Sequence, residues 1–428
     1  MASCADPEDP VTDPGLSVHF SVASDLNYLV VSFDALRADA LGTYGYPRDT
    51  SPNLDAFADE ALVFEHAYAA SNTTPTSFAS TFSGQYPYRV FIGWNLIPTE
   101  TLAGSMQQNG FHTFGVFNNI QLAEERNFGQ GFSDYAVGSW PDEKALELGR
   151  KALEDAKGSK FFGWIHFISP HTPYDYREMS AHLAGPQEEG RYAKTTGGTF
   201  DIESDEELAR VRDLYDGEIY FGDHIFGQLL SMLEDMGLAD NTVVIVTSDH
   251  GEEFMEHGQV QHNAMYEELI HIPMMIRHPR MPEGARTGVR YVGVDLYPTV
   301  AAMAGLEAPG GIDGLDLFHP FDARRHRLSV GMTNDKRQEM VNEQDRMKLI
   351  VGCAEFTEEL YDLSSDPGEK TDLILDRPSM AGSLYDSMEK ITVSNPCGLL
   401  ENANRGKAPE DHLSPEQIEQ LRSLGYIQ

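Results

Sequence analysis

The stretch Val243-Val244-Ile245-Val246-Thr247-Ser248-Asp249-His250-Gly251-Glu252 begins as a buried β-strand and ends as chemistry. Its opening run is apolar and β-branched, the pattern of a strand covered on both faces. At the carboxyl end the chain delivers a carboxylate and an imidazole, then a glycine that lets the backbone turn. In open α/β sheets that edge is where ligands bind. A hard oxygen beside an imidazole suits a catalytic divalent ion. An Asp-His pair taken alone also fits a structural hydrogen-bonded pair.

A second strand end lies far upstream. Tyr28-Leu29-Val30-Val31-Ser32-Phe33 is strand-like and Asp34 terminates it, followed by Ala35-Leu36-Arg37-Ala38-Asp39. Further pieces run in order along the chain: Tyr44-Gly45-Tyr46-Pro47, Thr50-Ser51-Pro52-Asn53-Leu54-Asp55, Ala79-Ser80-Thr81-Phe82-Ser83-Gly84 and Gly129-Gln130-Gly131-Phe132. Ser169-Pro170-His171-Thr172-Pro173-Tyr174, Glu256-His257-Gly258, Tyr266-Glu267-Glu268, Asp295-Leu296-Tyr297-Pro298-Thr299 and Tyr361-Asp362-Leu363-Ser364-Ser365-Asp366-Pro367-Gly368-Glu369 complete the series. Any one piece fits chance, but the ordered set resembles the sulfatase family of the alkaline phosphatase superfamily.

Between Asn27 and about Pro320 short apolar runs alternate with longer helical patterns, which predicts a large, mostly parallel sheet flanked by helices. Phe161 to Phe167 reads as another core strand, emptying into Ser169-Pro170-His171. Glu207 to Met236 is periodic and acidic, a long helix with one face on the sheet. Beyond about Arg324, Met347 to Val351 and Glu359 to Asp362 look like strands of a small antiparallel sheet, as the resemblance also implies. The expected fold is therefore α/β: a mixed, mostly parallel sheet sandwiched by helices (alkaline phosphatase-like), with a small C-terminal α+β subdomain. The expected division is a flexible leader over 1–25, a catalytic domain over 26–324 and a subdomain over 325–428. Ser414-Pro415-Glu416-Gln417 starts a terminal helix. Gly185 to Ser204 reads as a surface insertion.

Composition bounds the partners. The chain has 428 residues, with 68 acids against 31 bases and a formal charge of −37. Nucleic acid and anionic membrane would be repelled. The acids are spread along the chain, an acidic composition of haloarchaeal type suited to concentrated salt. Cys4, Cys353 and Cys397 are too few and scattered for a disulfide framework, so reduced thiols are expected. The first residues, acidic and proline-bearing, do not read as a secretory signal, and no apolar run reaches membrane-spanning length. A soluble, cytoplasmic protein is expected.

The resemblance assigns roles. Counting back from Gly84 puts Thr74 where sulfatases carry the Cys or Ser that becomes formylglycine, and Pro75 opens a helix behind it. Two departures stand out. Thr cannot be oxidised to an aldehyde, and Phe78 occupies the place of the usual maturation Arg. A formylglycine hydrate sheds sulfate by collapsing to the aldehyde, whereas a threonine ester must be attacked by water, the route of a phosphothreonine. Thr74 thus looks like the phosphoryl-accepting threonine of nucleotide pyrophosphatase-type and lipoteichoic-acid-synthase-type relatives. Thr73, Thr76 and Ser77 are the alternatives, with Thr74 as a mere helix cap.

The implied metal set is Asp34, Thr74, Asp249 and His250. Ala35 stands where sulfatases often place a further aspartate, so one divalent ion is expected, with Mn²⁺, Mg²⁺ or Ca²⁺ favoured by the oxygen-rich set and Zn²⁺ possible. His171 is implied as a contact to the sulfuryl or phosphoryl oxygens or as the leaving-group acid. His262 falls where many sulfatases keep a lysine and would do the same work. Asn119 is implied to point an amide at the substrate. His257 is a weaker candidate, and His66, His112, His166 and His271 read as ordinary surface or core residues.

The expected activity is metal-dependent hydrolysis of a small-molecule, glycan-linked or lipid-linked anionic ester, with Thr74 favouring phosphoester chemistry. Alternatives are a sulfuric ester hydrolase using unmodified Thr, a phosphoglycerol-type transferase, or a non-catalytic anion-binding relic. Oligomeric state is not legible. The charge gives a prediction of its own. The screening length falls from about 10 Å at 0.1 M salt to about 3 Å at 1 M, which spans ordinary carboxylate spacings. The melting temperature should therefore climb strongly from dilute buffer to molar KCl. A flat profile in a thermal-shift titration would show the acids to be a merely solvated surface.

Overall fold

The computed structural model describes residues 12–13, 25–185, 202, 204–281, 284–318, 321–322, 327–332, 338–344, 346–353 and 357–392. The expected leader (apart from the short strand Thr12–Asp13 and Asp25), nearly all of the insertion after Gly185, the boundary at 324 and the helix from Ser414 lie outside the described residues.

The central strands are β1 (Asn27–Asp34), β2 (Leu62–Tyr68), β3 (His112–Phe117), β4 (Asp134–Val137), β5 (Phe161–Pro170), β6 (Thr242–Ser248), β7 (Met274–Arg277) and β8 (Ala285–Val292). They form one eight-stranded sheet in the order β8-β2-β7-β6-β1-β5-β3-β4. β1 lies in parallel register between β5 and β6, pairing Phe33 with Phe167 and with Ser248. Among these strands β7 alone runs antiparallel to its neighbours. The carboxyl ends of β1, β5 and β6 therefore meet at one edge.

Alternation along β1 divides the core. Leu29, Val31 and Phe33 face the cluster that holds Phe57 of α1 (Pro52–Ala58), Leu153 of α3 (Asp142–Ala156) and Phe226 of α4 (Asp205–Asp235). Tyr28 and Val30 face the opposite cluster, with Phe78 and Phe82 of α2 (Thr74–Ser83) and Val300 of α5 (Leu296–Met303). This is the expected mixed, mostly parallel sheet between helices. The long helix α4 begins at a cap in which the Ser204 side chain accepts from Glu207 N at 3.2 Å.

The small C-terminal sheet is antiparallel throughout, β9 (Arg327–Met332), β10 (Gln338–Gln344), β11 (Met347–Gly352) and β12 (Thr357–Asp362). Leu384 and Met388 of α6 (Pro378–Thr392) cover Leu349 and Val351, and the same cluster reaches Tyr86 and Val292 of the main body. Val330 N donates to Ala70 O at 2.8 Å, joining the two parts through the backbone. One expectation is overturned here: Cys353 is disulfide-bonded, its partner outside the described residues. Spacing in sequence carries no information about such a pair, because the fold sets their approach.

Gly131 shows why one sequence motif needs its glycine. Its φ is +85°, and an added Cβ would lie 2.1 Å from Gly104 N and 2.5 Å from Gly104 Cα. The obstacle is backbone, which cannot swing aside. Gly131→Ala should lower stability by about 3 kcal/mol, combining left-handed strain and overpacking. Chemical denaturation checks this, and a loss below about 1 kcal/mol would show that the loop relaxes freely.

Candidate functional site

The sheet edge receives one group from each of several elements. Asp34 ends β1, and Asp249 and His250 follow β6. Thr74 is the first residue of α2, with Pro75 behind it, so the hydroxyl sits at the positive end of a ten-residue helix. Thr74 Oγ1 lies 3.5 Å from Asp34 Oδ2 and 3.4 Å from His250 Nε2. The neighbouring hydroxyls are engaged elsewhere: Ser77 Oγ donates to Asp249 O at 2.7 Å, and Thr76 Oγ1 donates to Thr73 O at 3.0 Å.

The carboxylates are oriented by their outer bonds. Asn119 Nδ2 donates to Asp34 Oδ2 at 2.7 Å, and His166 Nε2 approaches the same oxygen at 3.3 Å. Behind His166, Ser32 Oγ stands 3.0 Å from Nδ1, and Trp164 Nε1 donates to Ser32 Oγ at 2.8 Å. Trp164 is a donor only, so Ser32 Oγ accepts from it while also bonding Nδ1, and the far side of the ring faces Asp34. Asp249 Oδ1 accepts from Ala35 N at 3.1 Å and His250 N at 2.9 Å. Asp34 Oδ1 and Asp249 Oδ2 remain buried with no hydrogen-bond partner. His250 Nδ1 rests on Gly251 O at 2.9 Å, which leaves Nε2 as the lone-pair nitrogen.

These are the atoms a divalent ion needs. Ligand atoms of Asp34, Asp249 and His250 lie within 4.8 Å of one another, all buried. Burial, and then the charge of Asp34, push the Asp249 carboxyl above its ordinary range. Burial opposes the Asp34 charge as well, but His171, His166 and His250 outweigh it and hold that carboxyl below. Two carboxylates crowded in a dry site, each with an orphaned oxygen, fit a cation. The donor set, oxygen-rich with one imidazole, suits Mn²⁺, Mg²⁺ or Ca²⁺.

The His262 ring lies tilted beside that of His250, 4.7 Å between centroids, and 5.5 Å from His171. His262 Nδ1 stands 3.5 Å from Glu252 Oε1, and Tyr174 OH donates to Glu252 Oε2 at 2.8 Å. Burial opposes the Glu252 charge, yet His262, His171 and Tyr174 hold its carboxyl below the usual range. His171 Nδ1 lies 2.5 Å from its neighbour's carbonyl, Thr172 O. The seven residues singled out from the sequence, Asp34, Thr74, Asn119, His171, Asp249, His250 and His262, are thus all at this edge.

Two others escaped that reading. His166 looked like an ordinary core histidine, yet it is bonded to a proposed ligand; its place on the strand that pairs beside Asn27–Asp34, opposite Ser32, was the available signal. Glu252 was legible only as the end of Asp249-His250-Gly251-Glu252. Phe78 fills its place with aromatic packing, 4.8 Å edge-on to His166 and 5.5 Å from Trp164.

With this geometry in hand, comparison with known proteins identifies the family. The sulfatase family model matches residues 26–306. An arylsulfatase of Clostridium perfringens is 23% identical over 436 residues, covering 81% of this chain and 90% of its own. Arylsulfatase K of Xenopus laevis is 32% identical over 186 residues, covering 40% and 35%. Among solved structures, one bound to its substrate D-glucosamine-2-N,6-O-disulfate superposes with a TM-score of 0.76 at 19% identity, covering 87% of this chain and 99% of that one. The phosphonate monoester hydrolase of Agrobacterium radiobacter superposes with a TM-score of 0.72, also at 19% identity, covering 86% and 95%. The chain belongs to the sulfatase family and is a sulfatase-like ester hydrolase.

The outer bonds generate a prediction. Removing a second partner of a metal ligand typically costs about 10–100-fold in metal affinity. His166→Ala should weaken Mn²⁺ binding by that factor in a calorimetric titration, and Asp249→Asn should abolish it. Unchanged affinity in His166→Ala would show that Asn119 alone orients Asp34.

Proposed function

We propose that the chain is a metal-dependent phosphoester hydrolase working through a covalent intermediate on Thr74, with Asp34, Asp249, His250 and Thr74 holding one divalent ion. The observation that carries the reading is the Thr74 hydroxyl set between Asp34 and His250 at a helix N-terminus. The absence of a cation at Phe78, whose ring is packed among aromatics, supports a nucleophile used unmodified. A bound ion would supply charge that favours the alkoxide of Thr74 and neutralises the transferring group.

Thr74 Oγ, already an alkoxide with its proton released to bulk water, attacks phosphorus and the bond to the leaving oxygen breaks, with that oxygen taking a proton from His262. Glu252 behind the ring is the counter-charge for its protonated form, whereas His171 rests on a neutral carbonyl. His171 and Asn119 are assigned to the substrate's anionic oxygens. Water, giving its proton to His262, then attacks phosphorus and expels Thr74 Oγ as the alkoxide, ready for the next turnover. The neighbour bound to a sulfated glucosamine and the phosphonate monoester hydrolase support a small-molecule, glycan-linked or lipid-linked anionic ester as the substrate class. The charge of −37 supports work in concentrated salt. No described helix is long and apolar enough to cross a membrane. The disulfide at Cys353 weighs toward an oxidising compartment over the cytoplasm.

Turnover of nitrophenyl phosphate, nitrophenyl phosphodiester and nitrophenyl sulfate, each with and without chelator, sorts phosphoester hydrolase, sulfatase and binding relic. Thr74→Ala should reduce turnover by many orders of magnitude while Asp34, Asp249 and His250 keep the metal. Mass spectrometry of quenched wild-type reactions should find one phosphoryl group on the Thr74 peptide. Retention of more than a few per cent of activity in Thr74→Ala would end the covalent reading.

A further inference from the structure

His262 is carried by a hairpin whose far end is held by the C-terminal subdomain. Glu253–Phe254 pairs antiparallel with Val260–Gln261, directly between His250 and His262. His257 lies in the turn. Its Nδ1 meets Glu268 Oε1 at 2.7 Å, its Nε2 meets Glu369 O at 3.0 Å, and its ring stacks on Tyr266 at 3.5 Å between centroids. Lys370 Nζ donates to Glu256 O in the same turn.

Glu369 is itself fixed. Its Oε1 lies 2.7 Å from Lys348 Nζ and its Oε2 accepts from Glu267 N at 2.6 Å, while Lys348 Nζ also lies 3.1 Å from Glu267 Oε1. Lys348, on β11, and Glu369 are both buried. Burial opposes the Lys348 charge, and Glu369 and Glu267 more than restore it. Charges placed in a dry interior hold geometry when each is matched. The path from subdomain to site is thus short: Lys348, Glu369, His257, the hairpin, His262.

We propose that Glu369 and His257 are positioning residues for His262: the subdomain grips the hairpin turn and so sets the leaving-group acid against the ester. This rests on His262 being that acid. General acid catalysis is required for a poor leaving group and dispensable for a good one. Small displacements of a catalytic group cost up to about 100-fold. A loss of positioning should therefore depend on the leaving group, whereas a general loss of fold or metal should not.

The test compares kcat/KM for phenyl and 2,4-dinitrophenyl phosphate, or the corresponding sulfates if those are turned over, in wild type, His257→Ala, Glu369→Gln and His262→Gln, with bound metal measured throughout. His257→Ala and Glu369→Gln are expected to lose roughly tenfold or more on the phenyl ester and less than about twofold on the dinitrophenyl ester, with metal unchanged. Equal losses on both esters, or no loss, overturn the inference. His257, at the surface turn, decides the matter if Glu369→Gln does not fold. His262→Gln should show the largest leaving-group-dependent loss. If it shows none, the acid assignment fails and the positioning role falls with it; if it does and the other two variants do not, only the positioning role fails.

Discussion

Asp34 and Asp249 are two buried carboxylates brought to one dry edge because β1 and β6 run side by side in parallel. Charges so placed repel unless something positive stands between them. Much around them answers that constraint. Asn119 and His166 occupy one oxygen of Asp34, backbone amides occupy one oxygen of Asp249, and the remaining oxygens turn toward His250 Nε2. The aromatic packing of Phe78 and Trp164 holds His166 in that arrangement. The core on this side of the sheet thus does more than exclude water, because it sets the angle at which a carboxylate presents itself.

Strand ends were the legible part. A buried strand betrays itself by an apolar, β-branched run, and the residue after it must lie at an edge, so Asp34, Asp249 and His250 could be placed without coordinates. Thr74 was legible through register with Gly84, whose φ of +67° marks the end of the same helix. Partners separated by long stretches of chain were not legible. His166 reaches Asp34 across 132 positions and Lys348 reaches Glu267 across 81. No periodicity announces such pairs, since a lone histidine or lysine satisfies the same local pattern inside or outside a site. The disulfide at Cys353 was missed for the same reason.

The changes at Phe78 and at His262 are consistent with the threonine at position 74. Where a formylglycine centre has a basic residue, Phe78 packs into the core, and where a lysine is common, His262 stands before Glu252. Both changes lower the fixed positive charge of the pocket. A threonine intermediate has no aldehyde to collapse to, so a second water attack must be assisted by a group that both gives and takes a proton. Imidazole does this near neutrality and ammonium does not. On the proposed mechanism, nucleophile and acid therefore differ from the family in one chemical direction.

That choice has to work within a molecule carrying 68 acids against 31 bases. At a distance such a surface repels an anionic ester, but at about 0.15 M salt the field decays over roughly 8 Å, so attraction must come from groups that touch the substrate. On the proposed reading the edge concentrates them: the amino end of α2, the rings of His171, His250 and His262, and the amide of Asn119. Helix dipoles and imidazoles act within a few ångströms and are screened little when buried. Recognition by short-range groups, set in an acidic shell that salt neutralises, would let one chain keep a strongly charged surface and still bind the proposed anionic substrate.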